Sequence, residues 1–314
     1  MRSVIDAVEE GFRALARGEV NVPDRLRLDV SDQNGIVLEM PAYLSSPGDK
    51  QSALGTKIVS VFERNPSRGL DSIQGVFLLL DGETGTPLSL MDGRFITAIR
   101  TAATSAVATK YMASAGPKRL AVFGAGVQAR FHIDAMMEVA QIERVTIVSR
   151  NADKARALVD FARELHKLPC DVVSAEQAVA TANLICTCTS SQGPLFDGKL
   201  LAAGTHINAV GAFTPSTREL DSETVRRARV ILDAESAAGR EAGEILIPIA
   251  EGVINHEHVK GMLADVVSGK VAGRESLDEI TLFKSCGLAI EDLVTARLAY
   301  ARAMIQNVGI NAPL

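Results

Sequence analysis

Cysteine is scarce in this chain and is not arranged for chemistry. Of 314 residues four are cysteine: Cys170, Cys186, Cys188 and Cys286. No C-x-x-C spacing occurs among them, and Cys186 and Cys188 sit in the apolar run "NLICTCT". That pattern speaks against a disulfide framework or a zinc site and for buried free thiols in a reducing cytoplasm. Long apolar runs are missing too. No stretch approaches the ~20 residues that cross a bilayer. The opening "MRSVIDAVEEGFRAL" reads as an amphipathic helix without the apolar core of a signal peptide. Membrane insertion and export are therefore not expected. The net charge is −5, with no basic stripe, which argues against nucleic acid as a partner. Ser190 and Ser191 lack a G-x-S-x-G frame, so an esterase has no support. His256 and His258 in "NHEHV" read as a surface loop rather than a metal site, and no metal is expected.

What is present is a globular composition, 47% hydrophobic and 23% charged, in a chain long enough for two domains. The first hundred residues favour strands. "RLRLDV", "GIVLEMPAYL", "ALGTKIVSVF", "QGVFLLLD" and "PLSLMD" are short, rich in Val, Ile and Leu, and separated by Gly, Pro, Asn or Asp turns. "DGETGTP" reads as a hairpin connection. The Ala-rich helix "RFITAIRTAATSAVATKYMASA" follows, until Gly116-Pro117 stops it. Beyond Pro117 strands and helices alternate: "RLAVFGAG", a helix over 127–140, "RVTIVSR", "ADKARALVDFARELH", then "CDVVS", "EQAVATA", "NLICTCT", "THINAVG", "SETVRRA" and "RVILDA". Such alternation predicts a doubly wound, mostly parallel sheet. A second Ala-rich helix, "LAIEDLVTARLAYARAMIQNVG", closes the chain. The expected fold is α/β: a Rossmann domain over 116–282 inserted in a second α/β domain, formed by residues 1–115 with 283–314 packing back on it.

The stretch "LAVFGAGVQARF" gives Gly124, Gly126 and Ala129 as G-x-G-x-x-A between a strand and a helix. Gly124 permits a tight turn, Gly126 lets the backbone approach a pyrophosphate, and Ala129 seats the helix against the strand. A diphosphate is then held over Gly124, Ala125, Gly126, Val127 and Gln128, at the helix N-terminus, where free N–H groups favour negative charge. After the second strand such folds usually offer an acid to the ribose hydroxyls of NAD. Here "SRNADK" offers Ser149, Arg150, Asn151 and Lys154 instead. Arg150 suits a 2′-phosphate, with Ser149 and Asn151 as hydrogen-bonding partners. NADP(H) is the preferred cofactor on this reading and NAD(H) the alternative. A helix cap at Asn151 or Asp153 explains the same residues without a ligand.

Two cations stand out in the first domain. Lys57 is flanked by apolar strand residues in "ALGTKIVSVF", and Arg100 lies mid-helix in the Ala-rich surface. Buried cations need partners. One candidate is the carboxylate of an amino or imino acid, which Arg grips with two parallel bonds. The other is an ion pair with the protein's own Asp or Glu.

"TKIVSVFERN", "MDGRFITAIRTAATSAVATKYMA", "FGAGVQA", "THINAVGAFTPSTRELD" and "FKSCGLAIEDLVTARLAY" resemble, in order and over essentially the whole chain, the ornithine cyclodeaminase/mu-crystallin family. The resemblance implies an NAD(P)-dependent oxidoreductase of amino-acid metabolism, acting on a small imino or amino acid as a cytoplasmic homodimer. It implies catalytic and substrate-binding roles for Lys57 and Arg100, with Arg25 of "VPDRLRL" as a further carboxylate contact and Arg27 as its competitor. For the cofactor it adds Arg100, Thr101, Thr187, Thr189, Val210, Gly211 and Ser285. Cyclodeaminating and alanine-dehydrogenating members carry an Asp where this chain has Phe213, a ring that neither accepts nor donates a proton. That departure shifts the expectation from deamination toward NADPH-dependent reduction of cyclic or linear α-imino acids. A deaminating enzyme of the cyclodeaminase or alanine dehydrogenase type, and a non-catalytic protein holding NADPH and a ligand, remain the alternatives. His206 in "THINAVG" is expected to be a core histidine, and Glu219 and Asp221 in "RELD" a helix start.

Overall fold

The computed structural model of the protein describes residues 1–45 and 52–312. In chain order the elements begin with α1 (Arg2–Ala16), β1 (Val20–Asn21), β2 (Leu26–Val30), β3 (Gly35–Leu44), β4 (Ala53–Phe62), β5 (Ile73–Asp81), β6 (Pro87–Asp92) and α2 (Gly93–Met112). Then come β7 (Lys118–Phe123), α3 (Val127–Val139), β8 (Ile142–Val148), α4 (Ala152–His166), β9 (Cys170–Val172), α5 (Ala175–Thr181), β10 (Leu184–Thr187) and β11 (His206–Ala209). The rest are α6 (Ser222–Arg227), β12 (Ala228–Leu232), α7 (Gly243–Ala250), β13 (Val259–Met262), α8 (Leu263–Val267), β14 (Ile280–Lys284) and α9 (Ala289–Gln306). The chain divides into two compact units, one of Met1–Ile5 and Thr101–Gly287, the other of Asp6–Arg100 and Leu288–Leu314.

The second of these is built on an antiparallel sheet, ordered β1-β3-β4-β5-β6, with β2 pairing β3. Alternation sets its two faces. One face collects Leu38, Met40, Ala42, Ala53, Val59, Phe77 and Leu79, all buried, and α9 packs against β3, β4 and β5. Gly11 of α1 fits closely against Ile290 and Val294 of α9. Leu26, Leu28, Ile58, Val76 and Leu90, on the other face of the same sheet, are exposed.

The other unit is a parallel sheet ordered β13-β12-β14-β11-β10-β7-β8-β9. The chain runs outward from β7 through β8 to β9, then returns to the far side of β7 with β10. That reversal is the switch point where open α/β sheets bind ligands. Central strands read as continuous apolar runs because helices cover both faces; every residue of β10, β11 and β14 is buried. His206 and Asn208 on β11 each make a side-chain hydrogen bond within this unit. His206 bonds Thr281 (2.9 Å) and burial pushes its pKa down to about 3, which is the expected core histidine. Asn208 donates to Thr109 of α2 (2.9 Å).

The boundaries differ from the expected 115/116 and 282/283. The second half of α2 goes with the parallel sheet, since Ala102, Ala103, Ala106, Val107 and Ala108 are buried and Ser105 bonds His132 of α3 (2.9 Å). At the other end, β14 pairs with β11 and β12, so Phe283 and Lys284 belong to the parallel sheet.

Candidate active site

The dinucleotide turn follows β7 at the switch point. Gly124 has φ +107°, and a Cβ there would lie 2.6 Å from the Cys188 carbonyl oxygen, so only glycine fits. Gly126 caps α3 without a side-chain hydrogen bond, and a Cβ built on it meets nothing within 4 Å. Ala129 is fully buried. The turn therefore leaves open space at Gly126, at the N-terminus of α3, which fits a diphosphate. Ala125 and Gln128 are half-buried and Val127 is exposed. The Gln128 side-chain oxygen is buried without a hydrogen-bond partner.

After β8, Arg150 and Lys154 are exposed. Asn151 caps α4, accepting from the Lys154 N–H (2.9 Å), and its own N–H donates to Ser149 Oγ (3.2 Å). Thus Asn151 and Ser149 have structural work at the helix start, while Arg150 projects a guanidinium into solvent.

Beyond β10 and β11 the polar groups converge on one carboxylate. Glu219 accepts from Thr187 Oγ1, from the Thr189 N–H and Oγ1, and from the Gly211 N–H, each at 2.7 Å. It is fully buried, which corrects the helix-start reading. Asp221 alone is the cap of α6, accepting from the Thr224 N–H (2.7 Å). Val210 is half-buried beside Gly211, and its N–H donates to the Thr187 carbonyl (3.1 Å). After β14, Ser285 donates to Asp233 (2.9 Å).

In the antiparallel unit, Lys57 and Arg100 come together. Lys57 lies between Met40 and Phe77 in register, on the face covered by α9, where an isolated ammonium would be very costly. Its Nζ is 2.8 Å from Asp292. Arg100 Nη1 is 2.5 Å from Glu291 and its Nε 3.0 Å from Asp292. Both acids are fully buried. The ion-pair alternative for these cations is thus realised, as a cluster of two cations and two carboxylates. Burial lowers the Lys57 pKa to about 8, with Arg100 acting in the same direction and Asp292 against it. Glu291 and Asp292 were not foreseen as site residues. The available signal was a pair of adjacent acids in the first turn of an Ala-rich helix.

The other candidates lie on several different elements. Arg25 is half-buried just before β2, whereas Arg27, exposed within β2, pairs with Asp29 (2.8 Å). Thr101 is buried in α2. Phe213 is half-buried after β11. His258 bonds the Val225 carbonyl (2.7 Å) and so serves the fold. Among the described residues no cluster of three metal-ligating side chains occurs, and the four cysteines are free thiols. No helix of the described residues is long and apolar enough to cross a membrane.

A parallel sheet with a glycine turn at its switch point defines a Rossmann-type dinucleotide-binding protein. The chain belongs to the ornithine cyclodeaminase/mu-crystallin family, whose model matches residues 1–307. It is an NAD(P)-dependent oxidoreductase acting on a C=N/CH–NH group. It is 36% identical over 311 residues to a Delta(1)-pyrroline-2-carboxylate reductase of Bacillus cereus, covering 98% of this chain and 94% of that one. Its fold matches that of Thermococcus litoralis Delta(1)-pyrroline-2-carboxylate reductase in complex with NADH and L-proline, with TM-score 0.95, 42% identity and coverage of 99% and 96%. An archaeal alanine dehydrogenase dimer with bound NAD matches with TM-score 0.93, 33% identity and coverage of 100% and 95%.

Proposed function

We propose that this protein reduces α-imino acids of the Δ1-pyrroline-2-carboxylate or Δ1-piperideine-2-carboxylate type, or their linear counterparts, using NADPH. The observation that carries the reading is the buried amino group of Lys57, held 2.8 Å from Asp292; burial lowers its pKa to about 8, which suits it to protonating an imine nitrogen near neutral pH. The similar pyrroline-2-carboxylate reductases support the substrate class. When bound, the reduced nicotinamide supplies the hydride that adds to the imine carbon. Lys57 gives its proton to the nitrogen, so that C=N becomes CH–NH, and Asp292 holds the ammonium in place. Arg100 grips the substrate carboxylate, with Arg25 as a second cation. Gly124 to Gln128 hold the diphosphate, while Thr101, Thr187, Thr189, Val210, Gly211 and Ser285 serve the nicotinamide half. Phe213 supplies no base for deamination.

Arg150, with Lys154, Ser149 and Asn151, is read as the 2′-phosphate site that favours NADPH. The support is an exposed guanidinium and the lack of an acid after β8 until Asp153. The Thermococcus litoralis relative is in complex with NADH, so the comparison of the two cofactors is a direct test. A higher kcat/KM with NADPH, reversed in Arg150→Asp, is expected; equal or better use of NADH by the wild type overturns the assignment. The substrate test is a panel followed by the absorbance of the reduced nicotinamide. Turnover of the cyclic imines is expected. Ammonia release from ornithine would put a cyclodeaminase in its place, and binding without turnover a carrier. The likeness to an alanine dehydrogenase favours one second reading, reductive amination of pyruvate, which passes through a linear imino acid. The protein is further proposed to act as a homodimer in the cytoplasm. Its substrate and dimer unit is the antiparallel one, and its cofactor unit the parallel one.

A further inference from the structure

We infer that Glu219 is a positioning residue for the nicotinamide half of the cofactor, clamping the chain after β10 to the chain after β11. The inference rests on the reading that the C-terminal ends of β10 and β11 receive the nicotinamide. Four donors, one at the end of β10 and three in the loops after β10 and β11, meet the two carboxylate oxygens. Oε1 takes the N–H and hydroxyl of Thr189, and Oε2 takes the Thr187 hydroxyl and the Gly211 N–H. Each oxygen thus holds one backbone N–H, and those N–H groups belong to different loops. Only a carboxylate accepts at both ends; an amide of the same shape turns one acceptor into a donor facing an N–H.

The surroundings are built to this purpose. A Cβ on Gly211 would lie 2.2 Å from the Thr189 carbonyl oxygen and 2.5 Å from Glu219 Oε1, so the loop backbones close directly on the carboxylate. The Glu219 N–H donates to Glu244 (3.0 Å), which pairs with Lys284 (3.2 Å), and Lys284 also donates to the Ala212 carbonyl. Burial raises the Glu219 pKa, while the Thr189 bonds, Lys284 and Thr187 oppose that rise. A helix cap does not explain the residue, since Asp221 fills that place. Solubility does not either, since Glu219 is fully buried.

The test compares the whole dinucleotide with its adenosine half. In Glu219→Gln, NADPH affinity is expected to fall by ~10-fold or more, the loss of at least one charge-assisted bond set. Binding of 2′-phospho-ADP-ribose, which lacks the nicotinamide, is expected to stay within about twofold. Unchanged NADPH affinity and kcat, or parallel loss of both ligands, overturns the inference. Amide hydrogen exchange on the cofactor-free wild type gives a check that needs no variant. Slow exchange at Thr189 and Gly211 is expected, and fast exchange at either shows that no clamp exists. A wild type that binds neither NADPH nor NADH would overturn the cofactor reading, and the assigned role with it, whatever the exchange shows.

Discussion

Lys57 shows how a strand position and a charge decide each other. The alternation of β4 turns it toward α9, so its ammonium must be neutralised or expelled, and Asp292 does the former at 2.8 Å. Removing one member of such a buried set leaves an uncompensated charge, which costs about 3–5 kcal/mol. Lys57→Met is therefore expected to lose both activity and stability, and Asp292→Asn to lose stability by a similar amount. The double variant retains the balanced Arg100–Glu291 pair and is expected to recover roughly 2–3 kcal/mol relative to additivity, while remaining inactive. Denaturant titration of the four proteins measures this cycle; strict additivity would mean that Lys57 and Asp292 do not interact. The pH profile separates the roles open to Lys57. With a pKa of about 8, it is charged below that pH and neutral above it. If it supplies the proton, kcat/KM for imine reduction falls about tenfold per unit above pH 8, and kcat falls likewise above the pKa that Lys57 has in the substrate complex. If it only holds the carboxylate, the loss appears in KM while kcat stays level.

At the scale of elements, the turn between β7 and α3 carries two glycines with different reasons for being glycine. At Gly124 the reason is internal: φ +107° and a carbonyl 2.6 Å from any Cβ. Gly124→Ala is expected to destabilise the fold by roughly 2–4 kcal/mol. At Gly126 φ is −93° and the space is open, so the reason lies in what binds there. Gly126→Ala is expected to cost at most ~1 kcal/mol of stability, yet to weaken dinucleotide binding ~10- to 100-fold through overpacking against the diphosphate. Melting curves with a cofactor titration distinguish the two. A Gly126→Ala protein that binds as tightly as wild type would move the diphosphate elsewhere. This turn, the strands before it and the alternation after it were legible because each depends on neighbours within a few residues. β14 was not, since "ITLFK" has no polar alternation and no turn signal to mark it. The carboxylate partners were not legible either: Asp292 lies 235 residues from Lys57 and Glu291 lies 191 from Arg100. Spacing therefore could not choose between substrate and ion pair. Glu219 was misread because two acids preceded one short helix, and only the fold shows which of them turns inward.

At the scale of the whole molecule, the antiparallel sheet poses a question that one chain leaves open. One face is covered by α9, but the other presents Leu26, Leu28, Ile58, Val76 and Leu90, between 41% and 68% exposed. Ile58 and Val76 stand side by side in register, with Glu39 between Ile58 and Leu26 and Asp92 beside Val76. Exposed apolar residues grouped on one face and edged by polar ones mark association sites. A similar archaeal alanine dehydrogenase is described as a dimer, and a second copy meeting this face would bury matching surfaces about a twofold axis. The wild type is therefore expected to sediment at twice the 33.3 kDa chain mass. In Val76→Lys the substituted side chain stays in water in the single chain, so its own fold should change by no more than ~0.5 kcal/mol. In the dimer the same ammonium would be taken out of water beside Asp92, its neighbour in register, a carboxylate that Arg94 already engages, and burying it there costs several kcal/mol, counted once from each copy. Two such costs exceed ~5 kcal/mol and raise the dissociation constant more than ~1000-fold. Sedimentation at micromolar concentration should then show a folded single chain. A wild type that sediments as one chain would remove this face from the assembly, and a Val76→Lys protein that stays paired would place the interface elsewhere.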